Sequence, residues 1–300
     1  MPGPAAGIKM QKKLFPLFLF LIFSLGVPVT SIAKNNPLKY GDIEYTVREY
    51  SPSANIKNSI FVPETLNGMA VAVLPSCSGV QDWSVPDLHR WTKLLLENNF
   101  VVSVTDYNAP GRPSGQPWNC GKNINLPRMR PLKDVWDAVS ALSKIPGVQS
   151  DKIFTLGFSL GAQIGAGAVR GSVVNIATSV MNWGPKPRGV ISLYGACVWG
   201  PEGGGGGGTY LDVSIKADIL WMMGKNDNFY MKGCRQEVFN VIKMKNKKSK
   251  FIHFENAGHC WDCVGLSGQY IARENQTYNY NGKVTRQSEI EALQFMKQFE

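Results

Sequence analysis

The chain has 300 residues, of which 44% are hydrophobic and 18% are charged, and it carries a formal net charge of +10. This composition excludes a disordered chain and leaves room for one large domain with a full hydrophobic core, or for two small ones.

Residues 1–33 have the pattern of a secretory signal. Three lysines precede an apolar run over residues 14–29, and residues 31–33 resemble a small-x-Ala cleavage site. The run is short for a membrane span and contains Pro16. We therefore expect export to the periplasm or the medium, a mature domain of residues 34–300, and no membrane span after cleavage.

Apolar patterns predict strands and helices that alternate along the mature chain. Loose alternation over residues 39–62 is typical of edge strands, and continuous apolar runs are typical of strands buried on both faces. Such a run predicts a strand at 69–74, further strands are predicted at 99–105, 189–194, 219–223 and 250–255, and helices are predicted at 86–98, 132–142, 234–244 and 287–299. The alternation predicts a single α/β domain with a mostly parallel sheet covered by helices on both faces.

Three segments lack a regular pattern. Residues 107–130 hold four prolines and three glycines and predict a long loop, residues 172–188 predict a connection, and residues 203–208 are six consecutive glycines. We expect the long loop and the glycine run to border a pocket.

Residues 153–166 predict a buried strand, a sharp turn and a helix rich in small residues. The turn holds Gly157-Phe158-Ser159-Leu160-Gly161, which has the Gly-x-Ser-x-Gly spacing of a nucleophile elbow. Glycines two positions either side of the serine leave space for the strained backbone that such a turn requires. Ser159 is therefore the predicted nucleophile, although so short a pattern also arises by chance in Gly/Ser loops.

A serine nucleophile needs a base, which an acid must orient. His259 follows the strand at 250–255 and is the predicted base, whereas His253 lies within that strand and suits a structural role. Asp227 follows the strand at 219–223 and is the predicted acid. Asp218 precedes that strand, and Asp262 is too near His259 in sequence to be the usual orienting acid.

Two backbone N–H groups are predicted to form an oxyanion hole. Leu160 follows the nucleophile at a helix N-terminus, and Cys77 lies in the loop after the strand at 69–74. Together they would stabilise the oxyanion of a tetrahedral intermediate.

The cysteine and charge patterns limit partners and cofactors. Six cysteines in an exported chain suggest disulfides, but their spacing allows fifteen connectivities. Cys260-Trp-Asp-Cys263 could be half of a zinc site, yet with three histidines in all and no second Cys-x-x-Cys we expect neither metal nor cofactor. No aromatic residues interleave with the lysines of residues 243–250, so we expect a solvated loop rather than nucleic-acid binding. Binding to an anionic envelope surface is a second possibility that the sequence does not decide.

Taken together, these motifs resemble the dienelactone hydrolase family of α/β-hydrolases from about Met69 to the C-terminus. The segments that carry the resemblance are Leu74-Pro75-Ser76-Cys77-Ser78-Gly79, Asp106-Tyr107, Gly111-Arg112, Asp134, Asp137-Ala138, the elbow, Tyr194-Gly195-Ala196-Cys197, Gly224-Lys225-Asn226-Asp227 and Ala257-Gly258-His259. The resemblance implies the α/β-hydrolase fold and an acyl-ester hydrolase with a Ser159–His259–Asp227 triad.

The chain departs from this family in two places. The founding members use a cysteine nucleophile where this chain has Ser159, and Pro75-Ser76 replaces the usual His-Gly of the oxyanion loop. Dienelactone itself is therefore not the expected substrate. The resemblance to exported relatives further implies the disulfides Cys77–Cys120, Cys197–Cys234 and Cys260–Cys263.

Two other functions compete with an exported serine esterase. One is an acyltransferase or peptidase of the same fold, which exclusion of water from Ser159 would distinguish. The other is a non-catalytic binding protein, for which three intact triad residues would have no use.

Overall fold

The computed structural model describes residues 38–40, 43–45, 47–51, 56–77, 79, 85–105, 129–197, 211–229, 234–271 and 275–300. These residues belong to one compact unit, Pro37–Glu300. The predicted signal over residues 1–33, the glycine run, Cys120 and all but the last two residues of the predicted loop at 107–130 lie outside the described residues.

An eight-stranded sheet forms the centre of the unit. Its spatial order is β10-β9-β8-β7-β5-β6-β4-β3. The strands are β3 (Val47–Ser51), β4 (Ile56–Phe61), β5 (Ala70–Leu74), β6 (Val101–Val104), β7 (Ile153–Phe158), β8 (Gly189–Leu193), β9 (Asp218–Gly224) and β10 (Lys250–Phe254). The six strands from β10 to β6 are parallel to one another, whereas β4 is antiparallel to β6 and β3 is antiparallel to β4, so the predicted mostly parallel sheet is confirmed.

Two small antiparallel pairs lie outside this sheet: β1 (Leu38–Tyr40) with β2 (Ile43–Tyr45), and β11 (Tyr270–Ile271) with β12 (Gln276–Thr277). The helices are α1 (Val85–Glu97), α2 (Met129–Leu142), α3 (Leu160–Ala168), α4 (Gly171–Ser179), α5 (Gln236–Lys245) and α6 (Gly282–Lys297). Among the described residues, no helix has the length and apolar character needed to cross a membrane.

The central strands are buried on both faces because helices cover both. On β5, the side chains of Val71 and Val73 join a core with α1 and α6, while those of Ala70, Ala72 and Leu74 join a core with α2 and α3. This alternation follows from the two-residue period of a strand. It explains why β5, β7, β8 and β9 are continuous apolar runs rather than alternating ones.

Two segments differ from the sequence-based expectation. Helix α2 begins at Met129, so the predicted loop at 107–130 ends earlier than expected. The predicted connection at 172–188 contains helix α4, whose buried residues are Gly171, Val173 and Ala177. Val174 packs partly buried against the same core and the other residues of α4 are exposed, so its apolar stripe is too short to predict a helix.

Two of the predicted disulfides are present. Cys197, after β8, is bonded to Cys234, before α5, and Cys260 is bonded to Cys263 in the turn that follows β10. Cys77 is also disulfide-bonded. Its predicted partner, Cys120, lies outside the described residues.

The two described disulfides should contribute unequally to stability. Cys197 and Cys234 are separated by 37 positions, whereas Cys260 and Cys263 are separated by 3. The chain-entropy relation then gives a loss of about 4 kcal/mol in unfolding free energy for Cys197→Ser/Cys234→Ser, and about 2 kcal/mol for Cys260→Ser/Cys263→Ser. Urea denaturation followed by circular dichroism measures both losses, and equal losses would contradict this entropic explanation.

Candidate active site

Ser159 lies in a tight turn between β7 and α3. Its φ of 51° is in the left-handed region that non-glycine residues rarely adopt. A Cβ atom on Gly157 would overlap the backbone of Gly161 and Ala162, and one on Gly161 would overlap the carbonyl oxygens of Leu74 and Pro75. Glycine is therefore required at both positions, for the reason that the elbow pattern predicts.

The side chains of Ser159, His259 and Asp227 form a continuous chain of contacts. The Nε2 atom of His259 lies 3.0 Å from the Oγ of Ser159, and its Nδ1 lies 2.7 Å from the Oδ2 of Asp227. The second carboxylate oxygen of Asp227 accepts a 2.8 Å hydrogen bond from the backbone N–H of Phe229. His259 and Asp227 are buried, so water competes little for these contacts.

Backbone contacts between neighbouring loops bring the predicted acid, Asp227, to the predicted base, His259. Strands β9 and β10 are parallel, so both loops leave the sheet at the same edge. The N–H of Lys225 donates to the carbonyl of Phe254, and that of Asn226 donates to the carbonyl of Ala257, both over 2.9 Å. A Cβ atom on Gly224 would overlap the Ala257 carbonyl. Such a close approach of the two loops therefore requires glycine at this position.

Aromatic rings surround the imidazole of His259. Ring centroids lie 4.9 Å away for Tyr194, 5.2 Å for Phe229 and 5.5 Å for Tyr278. The first two contacts are edge-on, a favourable arrangement for aromatic pairs. These rings leave the imidazole little room to rotate away from Ser159.

The two predicted oxyanion donors come from neighbouring elements. Leu160 is the first residue of α3, where backbone N–H groups have no partner within the helix. Cys77 lies in a turn after β5, in which the N–H of Gly79 donates to the carbonyl of Ser76 over 2.9 Å. Strands β5 and β7 are adjacent and parallel, so both donors follow strand ends at the same edge of the sheet.

The other histidine and aspartate weighed in the sequence lie elsewhere. His253 is within β10 opposite Met223, and burial lowers the pKa of its imidazole. Asp218 begins β9, at the opposite end from Asp227, where it accepts from Arg188 and from the backbone N–H of Lys248.

Sequence reasoning missed a buried polar cluster behind His259, formed by Asp87, Arg90, Tyr194 and Asp262. Asp262 accepts hydrogen bonds from the hydroxyl of Tyr194 at 2.8 Å and from the indole N–H of Trp91 at 2.9 Å. Arg90 lies between the carboxylates of Asp262 and Glu289, at 3.4 and 3.0 Å. Helix α1 supplies Asp87 and Arg90, as well as Trp91, so nothing in the local sequence around His259 points to them.

Three potential metal ligands, Cys260, Asp262 and Cys263, have their ligand atoms within 4.8 Å of one another. The disulfide occupies both sulfur atoms, so neither is a thiolate able to bind a cation.

Asp87 borders a small cavity of about 20 Å³, together with Ser76, Phe158 and Tyr194. Burial raises the pKa of Asp87 to about 7, and the negative charge of Asp262 acts in the same direction. One carboxylate oxygen accepts a hydrogen bond from the backbone N–H of Val264 at 3.2 Å, which opposes part of this rise. Asp87 therefore changes charge near neutral pH.

Gly224→Ala should strongly reduce Ser159 reactivity and stability, because its methyl group would separate the loops of Asp227 and His259. The same change at Gly258 is the matched control, since a Cβ atom there would lie 3.8 Å from the nearest atom, the carbonyl oxygen of Asn226. The thermal midpoint and the labelling rate of Ser159 by a fluorophosphonate measure the two effects. Equal behaviour of the two variants would show that the close approach at Gly224 is unimportant.

Asp87→Asn should flatten the dependence of stability on pH. The folded-state pKa of Asp87 exceeds its unfolded value of 3.8, so the folded state binds the proton more tightly and unfolding free energy falls as pH rises from about 4 to about 7. The slope is on the order of 1 kcal/mol per pH unit within this window. Urea denaturation at several pH values measures it, with the exposed Asp151→Asn as control. An unchanged slope in Asp87→Asn would contradict the assignment.

Several solved structures share this fold. A dienelactone hydrolase-like promiscuous phosphotriesterase from metagenomic libraries is 14% identical, with a TM-score of 0.56 over 85% of this chain and 98% of that one. A putative dienelactone hydrolase from Klebsiella pneumoniae is 16% identical, with a TM-score of 0.56 over 85% and 97%. Apo esterase 2 from Thermogutta terrifontis is 14% identical, with a TM-score of 0.60 over 88% and 97%.

A comparison with curated proteins gave no match. The sequence pattern of the dienelactone hydrolase family, by contrast, matches residues 56–300. This match covers most of the chain and includes every described strand of the sheet from β4 onward. The chain therefore belongs to the dienelactone hydrolase family and is a hydrolase of the α/β-hydrolase fold.

Proposed function

We propose that the protein is a serine hydrolase that cleaves a carboxylic ester or a related acyl compound through an acyl-enzyme. The observation that carries this proposal is the unbroken series of contacts from Ser159 through His259 to Asp227, at 3.0 and 2.7 Å. A serine hydroxyl becomes an effective nucleophile when such a base accepts its proton.

The reaction proceeds in two halves. Ser159 Oγ attacks the acyl carbonyl while His259 Nε2 takes its proton, and the carbonyl π electrons move onto the oxygen. Collapse of the tetrahedral intermediate breaks the bond to the leaving group, which receives that proton from His259. A water molecule, deprotonated by His259, then attacks the acyl-enzyme, and Ser159 recovers its proton as the acid departs.

Asp227 and the oxyanion donors have separate roles in this sequence. Asp227 holds the Nδ1–H tautomer of His259 and stabilises the imidazolium that forms at each proton transfer. The backbone N–H groups of Cys77 and Leu160 stabilise the oxyanion, each by about 3–4 kcal/mol.

We also propose that the protein works outside the cytoplasm. The signal pattern of residues 1–33 supports export, and the disulfides Cys197–Cys234 and Cys260–Cys263 suit an oxidising compartment.

A fluorophosphonate probe tests the nucleophile directly. The parent protein should be labelled at a single serine, and Ser159→Ala should abolish labelling. Ser140→Ala, which changes a serine of α2, should leave labelling unchanged. A parent protein that remains unlabelled would overturn the serine-hydrolase proposal.

The two neighbouring histidines provide a matched test of the base. His259→Ala should lower kcat on p-nitrophenyl esters by about 10⁶-fold, because the hydroxyl of Ser159 loses its proton acceptor. His253→Ala should change it little. A panel of acyl lengths then defines the substrate range, and a similar loss in both variants would contradict the assigned base.

The same panel, run with alcohol or amine acceptors, separates the competing functions. Transfer of the acyl group in preference to water would identify an acyltransferase. Binding of an ester without turnover, equal in the parent protein and Ser159→Ala, would identify a non-catalytic binding protein.

A further inference from the structure

His259 is held by hydrogen bonds at its two nitrogens and by a T-shaped contact with an aromatic ring. Asp227 fixes the Nδ1 side, while the ring of Tyr194 contacts the imidazole at a centroid distance of 4.9 Å and an interplanar angle of 60°. Rotation of the imidazole out of line with Ser159 would require Tyr194 to move.

Tyr194 itself has little freedom to move. Its φ of 45° is in the left-handed region, and its backbone N–H donates to the carbonyl of Met222 over 2.9 Å. Its side chain is buried, and its hydroxyl donates to the carboxylate of Asp262 at 2.8 Å. Burial and the charge of Asp262 raise the pKa of this phenol well above 10, so the hydroxyl remains a donor at all working pH values.

Asp262 connects Tyr194 to the turn that carries His259. It lies three residues after His259 and is fully buried, and the disulfide between Cys260 and Cys263 closes the turn around it. Trp91 donates to its carboxylate, and Arg90 donates to its backbone carbonyl at 3.2 and 3.3 Å. Both donors belong to helix α1, so the turn is bound to a rigid element.

A fully buried carboxylate is costly unless several donors satisfy it, and an apolar side chain could fill the same volume. Asp262 has such donors from α1 and from the end of β8, the two elements that flank the His259 turn. The arrangement therefore fixes the geometry of that turn in addition to filling the core.

We propose that Tyr194 and Asp262 are positioning residues for His259. Asp262 fixes Tyr194 and the turn, and the ring of Tyr194 packs against the imidazole so that Nε2 remains within hydrogen-bond distance of Ser159. This inference rests on the proposed function of Ser159 and His259. It adds a second support for the base, separate from Asp227.

Conservative variants test this role without removing bulk. Asp262→Asn removes the charge, and Tyr194→Phe removes only the hydroxyl and keeps the ring. In each, kcat per site titrated with a fluorophosphonate should fall about 10-fold, with KM within about twofold, because small misplacements of a catalytic group affect the chemical step most.

Asp218→Asn is the matched control. Asp218 is a buried aspartate that also accepts from an arginine and a backbone N–H, but it lies at the opposite end of β9. It should lose stability without any change in kcat per titrated site. Unchanged kcat in both Asp262→Asn and Tyr194→Phe would overturn the positioning role, and should Asp262→Asn fail to fold, Tyr194→Phe alone decides.

A readout independent of turnover separates this inference from the proposed function. The chain has three histidines, so NMR titration of ¹⁵N-labelled histidine can resolve each imidazole. Tyr194→Phe should shift the titration of His259 and leave that of His253 unchanged. An unlabelled parent protein would refute the serine-hydrolase proposal, whereas an unshifted His259 titration would refute the positioning role.

Discussion

The close approach of helix α3 to the end of strand β5 determines the geometry of the whole site. Gly161 lies so near the carbonyls of Leu74 and Pro75 that no side chain fits between them. This contact fixes the elbow that presents Ser159, and it places the first turn of α3 beside the loop that carries Cys77. The predicted nucleophile and the predicted oxyanion donors are therefore positioned by one backbone contact, which the parallel pairing of β5 with β7 maintains.

The rest of the candidate site follows from the order of the parallel strands. Strands β7, β8, β9 and β10 lie side by side, so the segments after them meet at one edge. Ser159, Tyr194, Asp227 and His259 each follow one of these strands, in the order of the chain. Hydrogen bonds between the loops of Asp227 and His259 hold these loops together. As a result, Asp227 Oδ2 lies 2.7 Å from His259 Nδ1.

This regularity explains what the sequence could predict. Apolar runs in the sequence identify the buried strands. Polar residues just beyond these runs lie at the edge of the sheet where the strands end. Ser159, Asp227 and His259 could therefore be selected from the sequence alone. Asp262 could not, because its role depends on Trp91 and Arg90, more than 170 positions away in the chain. Helix α4 was missed for a different reason: most of its residues face away from the core and give no helical apolar pattern.

The Cys197–Cys234 bond has a further consequence for the integrity of the chain. It joins the segment after β8 to the segment before α5 and encloses β9 together with the loop of Asp227. A single proteolytic cut anywhere between these cysteines leaves the two fragments covalently linked, with Asp227 and His259 still on one connected molecule. Where proteases are abundant, a protein cut in this segment would therefore keep Ser159, Asp227 and His259 covalently linked through the Cys197–Cys234 bond.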